Sequence, residues 1–145
     1  MNNGNQLILY PRPDIDMIVK DLATKKPTFL PGVPTLYTAI NKHPKAKELD
    51  LRSLKICMSG GAPLPVEVQQ SFEKLTGATL IEGYGLTETS PTGSICPVDK
   101  SVRRLGSCGV PIPGMLEPSR ISVPCVAARL MPQVASRVSS GRPFR

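Results

Sequence analysis

Leu54-Lys55-Ile56-Cys57-Met58-Ser59-Gly60-Gly61-Ala62-Pro63 and Ala78-Thr79-Leu80-Ile81-Glu82-Gly83-Tyr84-Gly85 follow one plan: a short apolar run that stops at glycines. Between them Pro65 opens a helical period with Val68, Phe72 and Leu75 on its inner side, and Gly77 closes it as a C-cap. The order strand, helix, strand predicts two strands joined by one crossover helix, and such strands are parallel and lie close together. Their glycine loops, 60–61 and 83–85, then leave the same carboxyl-terminal edge. Ligands of open α/β sheets bind in the crevice beyond that edge. Two loops that need glycine, aimed at one crevice, suit a planar or phosphorylated ligand.

Upstream the same alternation continues. Leu7-Ile8-Leu9 reads as a strand. Asp14 is placed to cap a helix in which Ile15, Ile18, Val19 and Leu22 recur at helical spacing. Thr28-Phe29-Leu30 reads as a buried strand stopped by Pro31-Gly32. Pro34 suits the first turn of a second helix with Leu36, Tyr37 and Ile40 on its apolar side. Residues 42–50 are polar and loop-like. The whole predicts an α/β fold with a mostly parallel sheet and crossover helices. Downstream of Pro97 the pattern fades. Gly106-Ser107-Cys108-Gly109-Val110-Pro111-Ile112-Pro113-Gly114 is expected to be a loop without regular structure, since its glycines and prolines disfavour one.

Composition excludes several classes. The 145 residues are 40% apolar with no Trp, so a core must rest on Leu, Ile, Val and Ala. No apolar run approaches the roughly 20 residues that span a membrane. No basic segment and cleavage site flank Leu7–Tyr10, so no signal peptide is expected and a soluble, cytoplasmic location follows. Cys57, Cys96, Cys108 and Cys125 form no C-x-x-C pair, and His43 is the one histidine. That argues against a zinc site and a disulfide framework. His43 itself reads as a surface residue. No P-loop and no G-x-S-x-G elbow occur, and Lys and Arg are not clustered with aromatics as nucleic-acid binding would need.

Gly83-Tyr84-Gly85-Leu86-Thr87-Glu88-Thr89 packs several kinds of chemistry into seven residues. The glycines allow close backbone approach, Tyr84 offers a flat ring, and Thr87 a hydroxyl. Glu88 offers a hard oxygen of the kind Mg²⁺ takes alongside substrate phosphates. This segment resembles the adenylate-binding motif of the acyl-adenylate-forming (AMP-binding) superfamily. Ser59-Gly60-Gly61-Ala62-Pro63-Leu64 resembles that superfamily's adenine-contacting turn. The run from Gly106 to Gly114 resembles its downstream Gly-Ser-x-Gly-x-Pro-x-Pro-Gly loop. Phe29-Leu30-Pro31-Gly32-Val33-Pro34-Thr35-Leu36-Tyr37 resembles the fatty-acid ligase version of the segment leading to the acyl pocket. Four matches in order point to a long-chain fatty-acid CoA ligase, of which residues 1–114 would be part of the large N-terminal domain.

The resemblance implies an enzyme that joins a fatty acid to ATP as acyl-AMP and then passes the acyl group to coenzyme A. It implies that Gly60, Gly61 and Ala62 line the adenine, with Gly83, Tyr84 and Gly85 beside them and Tyr84 stacked on the ring. Thr87 would contact the α-phosphate and Glu88 would hold Mg²⁺, making these two the catalytic pair. Fatty acid, ATP and CoA would be the substrates, with peripheral membrane association open to a full-length enzyme and no nucleic acid involved. The superfamily's phosphate loop ending in Pro-Lys-Gly, its ribose-binding Asp segment and its C-terminal domain with a catalytic lysine have no counterpart in these residues. Residues 115–145 depart from the resemblance, with five Arg, no Lys and one Glu. They are expected to be a divergent, disordered tail joined to a family body. Two readings therefore stand: a piece of a fatty-acyl-CoA ligase, or a truncated product with residual nucleotide binding or none.

Overall fold

The structure is a computed structural model that describes Gly4, residues 6–87 and residues 92–113. The tail, Glu88 and Gly114 lie outside the described residues. Helix α1 spans Ile15–Lys25, and Asp14 caps it as its sequence predicts, its carboxylate accepting from the N–H of Asp16 at 2.9 Å and of Met17 at 3.3 Å. Strand β1 (Phe29–Gly32), helix α2 (Pro34–Lys42), a 3-10 turn (Pro44–Lys47), strand β2 (Ile56–Ser59), helix α3 (Val66–Thr76) and strand β3 (Thr79–Tyr84) follow. Two short strands, β4 (Ser94–Ile95) and β5 (Val110–Pro111), complete a sheet of order β1-β2-β3-β4-β5.

β1, β2 and β3 are parallel, with Leu30, Cys57 and Leu80 aligned across them. That row points at the helices: Cys57 and Leu80 are fully buried, and Leu30 packs against the core. α2 and α3 pack on each other, so both crossovers lie on one face of the sheet. Their contact centres on Tyr37 and Phe72, whose rings meet edge to face at 4.9 Å. Ile18, Val19 and Leu22 bring α1 onto the same core. Phe29, next to Leu30, faces the other way and is 50% exposed.

The structure corrects two expectations. Leu7-Ile8-Leu9 is not a strand; among the described residues no strand pairs with it to satisfy its backbone groups, and Leu9 is 81% exposed. Pro31-Gly32 does not stop β1 but forms its second half. A proline is tolerated there because β1 is the edge strand among the described residues, where it pairs with β2 alone. The expected α/β arrangement of parallel strands and crossover helices is present in β1, β2 and β3, and β4 and β5 extend it antiparallel, which makes the whole sheet mixed. No helix among the described residues is long and apolar enough to cross a membrane.

Candidate functional site

Parallel pairing of β2 with β3 brings Ser59 into register with Glu82, so the chain leaves both strands at one edge. Gly60 follows Ser59, and its N–H donates to Gly32 O of β1 at 3.1 Å. A Cβ placed on Gly60 would lie 3.7 Å from Gly83 O, so the two glycine segments run side by side. Gly61 has φ +81°, a left-handed conformation in which any side chain is strained. At Gly83 a Cβ would meet the Met58 methyl group, so the Met58 side chain packs over the bare backbone of β3 there. Ala62, Gly85 and Thr87 are exposed and Tyr84 is half-buried. An open backbone turn, a partly exposed ring and an exposed hydroxyl thus share one end of the sheet.

Gly83 and Tyr84 are not loop residues, as their motif suggested, but the end of β3. Gly83 pairs with Ile95 and Tyr84 with Ser94, and Gly93 N–H donates to Tyr84 O at 2.8 Å. β4 provides these partners, which lie too far downstream for a strand to be read from residues 78–85 alone. The loop proper begins at Gly85. The metal role expected of Glu88 lies outside the described residues.

The run from Gly106 to Pro113 contains β5, contrary to expectation. Two glycines make this possible. Gly106 and Gly109 have φ +73° and +91°, and a Cβ at Gly109 would collide with the backbone of Ile95. Only glycine lets β5 approach β4 there, and Ile112 N–H then donates to Gly93 O at 3.1 Å. The third glycine motif is therefore tied to β4, next to the strand that carries Tyr84.

Cys57, Cys96 and Cys108 are buried. Burial pushes the Cys57 thiol up to about 12 and raises that of Cys96, so neither is a ready nucleophile. Among the described residues no group of three His, Cys, Asp or Glu could hold a metal. His43, expected at the surface, is largely buried, and its Nε2 lies 2.9 Å from Asp16 Oδ1, joining the end of α2 to the start of α1. The open groove of about 410 Å³ beside it is lined by Asp16, Lys20, Lys45 and Leu49 among others, and by none of the glycine-turn residues.

Sequence reasoning passed over Glu82. It is 6% exposed, and burial raises its carboxyl above the ordinary range against the opposing effect of the hydrogen bond from Leu64 N–H. The signal was available: one acid ends an otherwise apolar run, immediately before Gly83. Ser59 and Ser94, both buried with unpartnered hydroxyls, were missed for want of any such signal.

Known proteins match this architecture. Residues 1–117 match the family described as AMP-binding enzyme. A long-chain-fatty-acid–CoA ligase of Bacillus subtilis (strain 168) is 50% identical over 61% of this chain and 16% of its own length. Another of Escherichia coli O157:H7 is 37% identical over 99% of this chain and 23% of its own length. Among solved structures, the anthranilate CoA ligase AuaEII in complex with anthranoyl-AMP superposes with a TM-score of 0.69 at 27% identity, over 77% of this chain and 22% of that one. The chain thus spans less than a quarter of these relatives. With its α/β core and its paired glycine turns, the chain belongs to the AMP-binding enzyme family.

Proposed function

We propose that this chain is the adenylate-binding piece of a long-chain-fatty-acid–CoA ligase, which joins a fatty acid to ATP and then to coenzyme A. One observation carries the reading: β2 and β3 release Gly60–Ala62 and the Gly85–Thr87 segment at one sheet edge, with Gly60 against Gly83 O. Gly60, Gly61 and Ala62 line the adenine with backbone that a side chain at Gly61 would distort. Gly83 and Gly85 flank Tyr84, whose half-buried ring stacks on the base. Thr87 is exposed and donates its hydroxyl to the α-phosphate.

Glu88 and the nucleotide's phosphate oxygens would hold Mg²⁺. The described residues provide no protein cage, and Mg²⁺ is commonly bound through one or two carboxylates plus phosphates. When bound, the ion neutralises charge on the phosphoryl oxygens. The intact ligase works in the cytoplasm, with peripheral contact to membrane where its fatty acid resides.

The test is titration of AMP into the purified chain, followed by calorimetry, with Tyr84→Ala and Gly61→Val alongside. Saturable binding that each substitution weakens by about tenfold supports the reading, since base–aromatic stacking is worth roughly 1–3 kcal/mol. Absence of binding in the parent chain favours the second reading, a truncated product without a nucleotide site.

A further inference from the structure

The groove between α1 and the 3-10 turn holds about 410 Å³, and none of the glycine-turn residues lines it. That volume falls within the range of small-ligand sites, roughly 300–1,000 Å³. The spacing along α1 builds one wall. Ile18, Val19 and Leu22 are taken by the core, which leaves Met17, Lys20 and Thr24, at helical spacing, on the side that borders the groove. The other wall follows the buried Ala46 of the 3-10 turn and presents Lys45 and Leu49. Met17 is 51% exposed and Leu49 36% exposed, so apolar surface stands open to water on both sides.

Charge at the groove is uneven. Lys20 and Lys45 supply two ammonium groups, and neither makes a side-chain hydrogen bond or an ion pair with a described residue. Asp16 supplies the one carboxylate, and it is engaged by His43 Nε2 at 2.9 Å. An apolar trough with cations at its sides suits a molecule with an apolar body and an anionic head. A bare phosphate would leave Met17 and Leu49 in water. A neutral alcohol would leave the ammonium groups unused.

We propose that this groove binds a fatty-acid anion, its alkyl chain against Met17, Val19 and Leu49 and its carboxylate held by Lys20 and Lys45. The site is separate from the sheet edge proposed for the nucleotide, and it stands whether or not that reading holds.

The test is titration of decanoate, below its micelle concentration, into the isotope-labelled 145-residue chain, with amide shifts followed residue by residue. Decanol and acetate are titrated in parallel, and phosphatidylglycerol vesicles are added to a separate sample. Decanoate should bind saturably, with shifts concentrated at Met17, Lys20 and Leu49. Decanol should bind about three- to tenfold more weakly, the effect of two solvent-exposed ion pairs. Acetate should not bind measurably. Lys20→Gln combined with Lys45→Gln should lower decanoate to the affinity of decanol and leave decanol unchanged, an outcome that a merely structural role for the lysines would not produce. Ala23→Phe, which fills the groove, should weaken both ligands by about tenfold. If Ala23→Phe does not fold, the double lysine variant decides. Equal affinity for decanoate and decanol overturns the proposal, as does unchanged decanoate binding in the double lysine variant. Shifts centred on the exposed Phe29 instead of the groove also overturn it, and so does binding to the vesicles with none to decanoate.

Discussion

The guanidinium of Arg103 grips the carboxylate of Glu73 through two parallel hydrogen bonds, Nη1 to Oε1 at 2.6 Å and Nη2 to Oε2 at 3.0 Å. Both groups also bond the backbone of Leu80: Nη1 donates to its carbonyl at 2.8 Å, and its N–H donates to Glu73 Oε1 at 2.8 Å. α3, β3 and the segment leading to β5 meet at this point. Removing one partner strands the other in a largely dry site. Arg103→Met should therefore cost about 3 kcal/mol of stability, read as a lowered midpoint in urea. A loss within about 0.5 kcal/mol, the usual range for a surface substitution, would show that the pair is not needed.

Acid should remove the same contribution. Burial opposes ionisation of Glu73, but the hydrogen bonds from Arg103 and Leu80 N–H and the charges of Arg103 and Lys100 outweigh it, holding the carboxyl below its usual range. The folded state then binds a proton less readily than the unfolded state. The stabilisation is complete above the ordinary glutamate value near pH 4.3 and is lost as pH falls through the lower folded value. The melting difference between the parent and Glu73→Gln should be largest near neutral pH and shrink below about pH 4. A difference that stays constant with pH would contradict this assignment.

Tyr37 tests the joint between β1 and β2. Its hydroxyl lies 2.9 Å from both Leu30 O and Met58 O, and its ring is fully buried. Tyr37→Phe keeps the contact with Phe72 and removes the one proton shared by the two carbonyls. The cost should be about 1–2 kcal/mol. Phe72→Ala, which opens a cavity in the same place, should cost about 3–5 kcal/mol. Equal melting of the parent and Tyr37→Phe would mean that the hydroxyl bonds contribute nothing net.

Gly61 separates conformation from space. A Cβ there would be 3.8 Å from Val33, an ordinary contact, yet φ is +81°. Gly61→Ala should therefore cost roughly 1 kcal/mol from backbone strain alone. Gly60→Ala, at a position without positive φ, should cost less. Thermal melts of the two variants give the comparison, and the reverse order would refute it.

Glu88 and Thr87 are best tested within a full-length ligase carrying this segment. Glu88→Gln should leave melting unchanged and slow pyrophosphate release by at least about 100-fold, with a raised Mg²⁺ requirement, while thioester formation from supplied acyl-AMP suffers less. Thr87→Val should weaken the first step through one lost phosphate hydrogen bond. Unchanged Mg²⁺ dependence in Glu88→Gln would remove Glu88 as the metal ligand.

Features that depend on neighbours in the chain were legible in the sequence. Asp14 caps α1 through the N–H groups of Asp16 and Met17, and Gly77 ends α3 at φ +75°. Both follow from residues within one helical turn. The apolar periods of α1, α2 and α3 and the parallel order of β1, β2 and β3 were likewise written in spacing. The glycine turns came with them, because a sharp exit from a strand demands residues that can make it.

Tertiary structure decided what depends on a partner distant in the chain. Leu7-Ile8-Leu9 has the composition of a strand, but a strand exists only where another edge accepts its hydrogen bonds, and none among the described residues does. Gly83-Tyr84 looks like loop, yet β4 extends β3 through it by supplying Ser94 and Ile95 as partners. Val110–Pro111 became a strand only because Gly109 permits contact with the Ile95 backbone. Glu73 finds Arg103 thirty residues away, and Glu82 finds Leu64 eighteen residues back. Composition marks each as a charged residue that should face water, and only the folded chain brings up the guanidinium or the lone N–H that makes its burial tolerable.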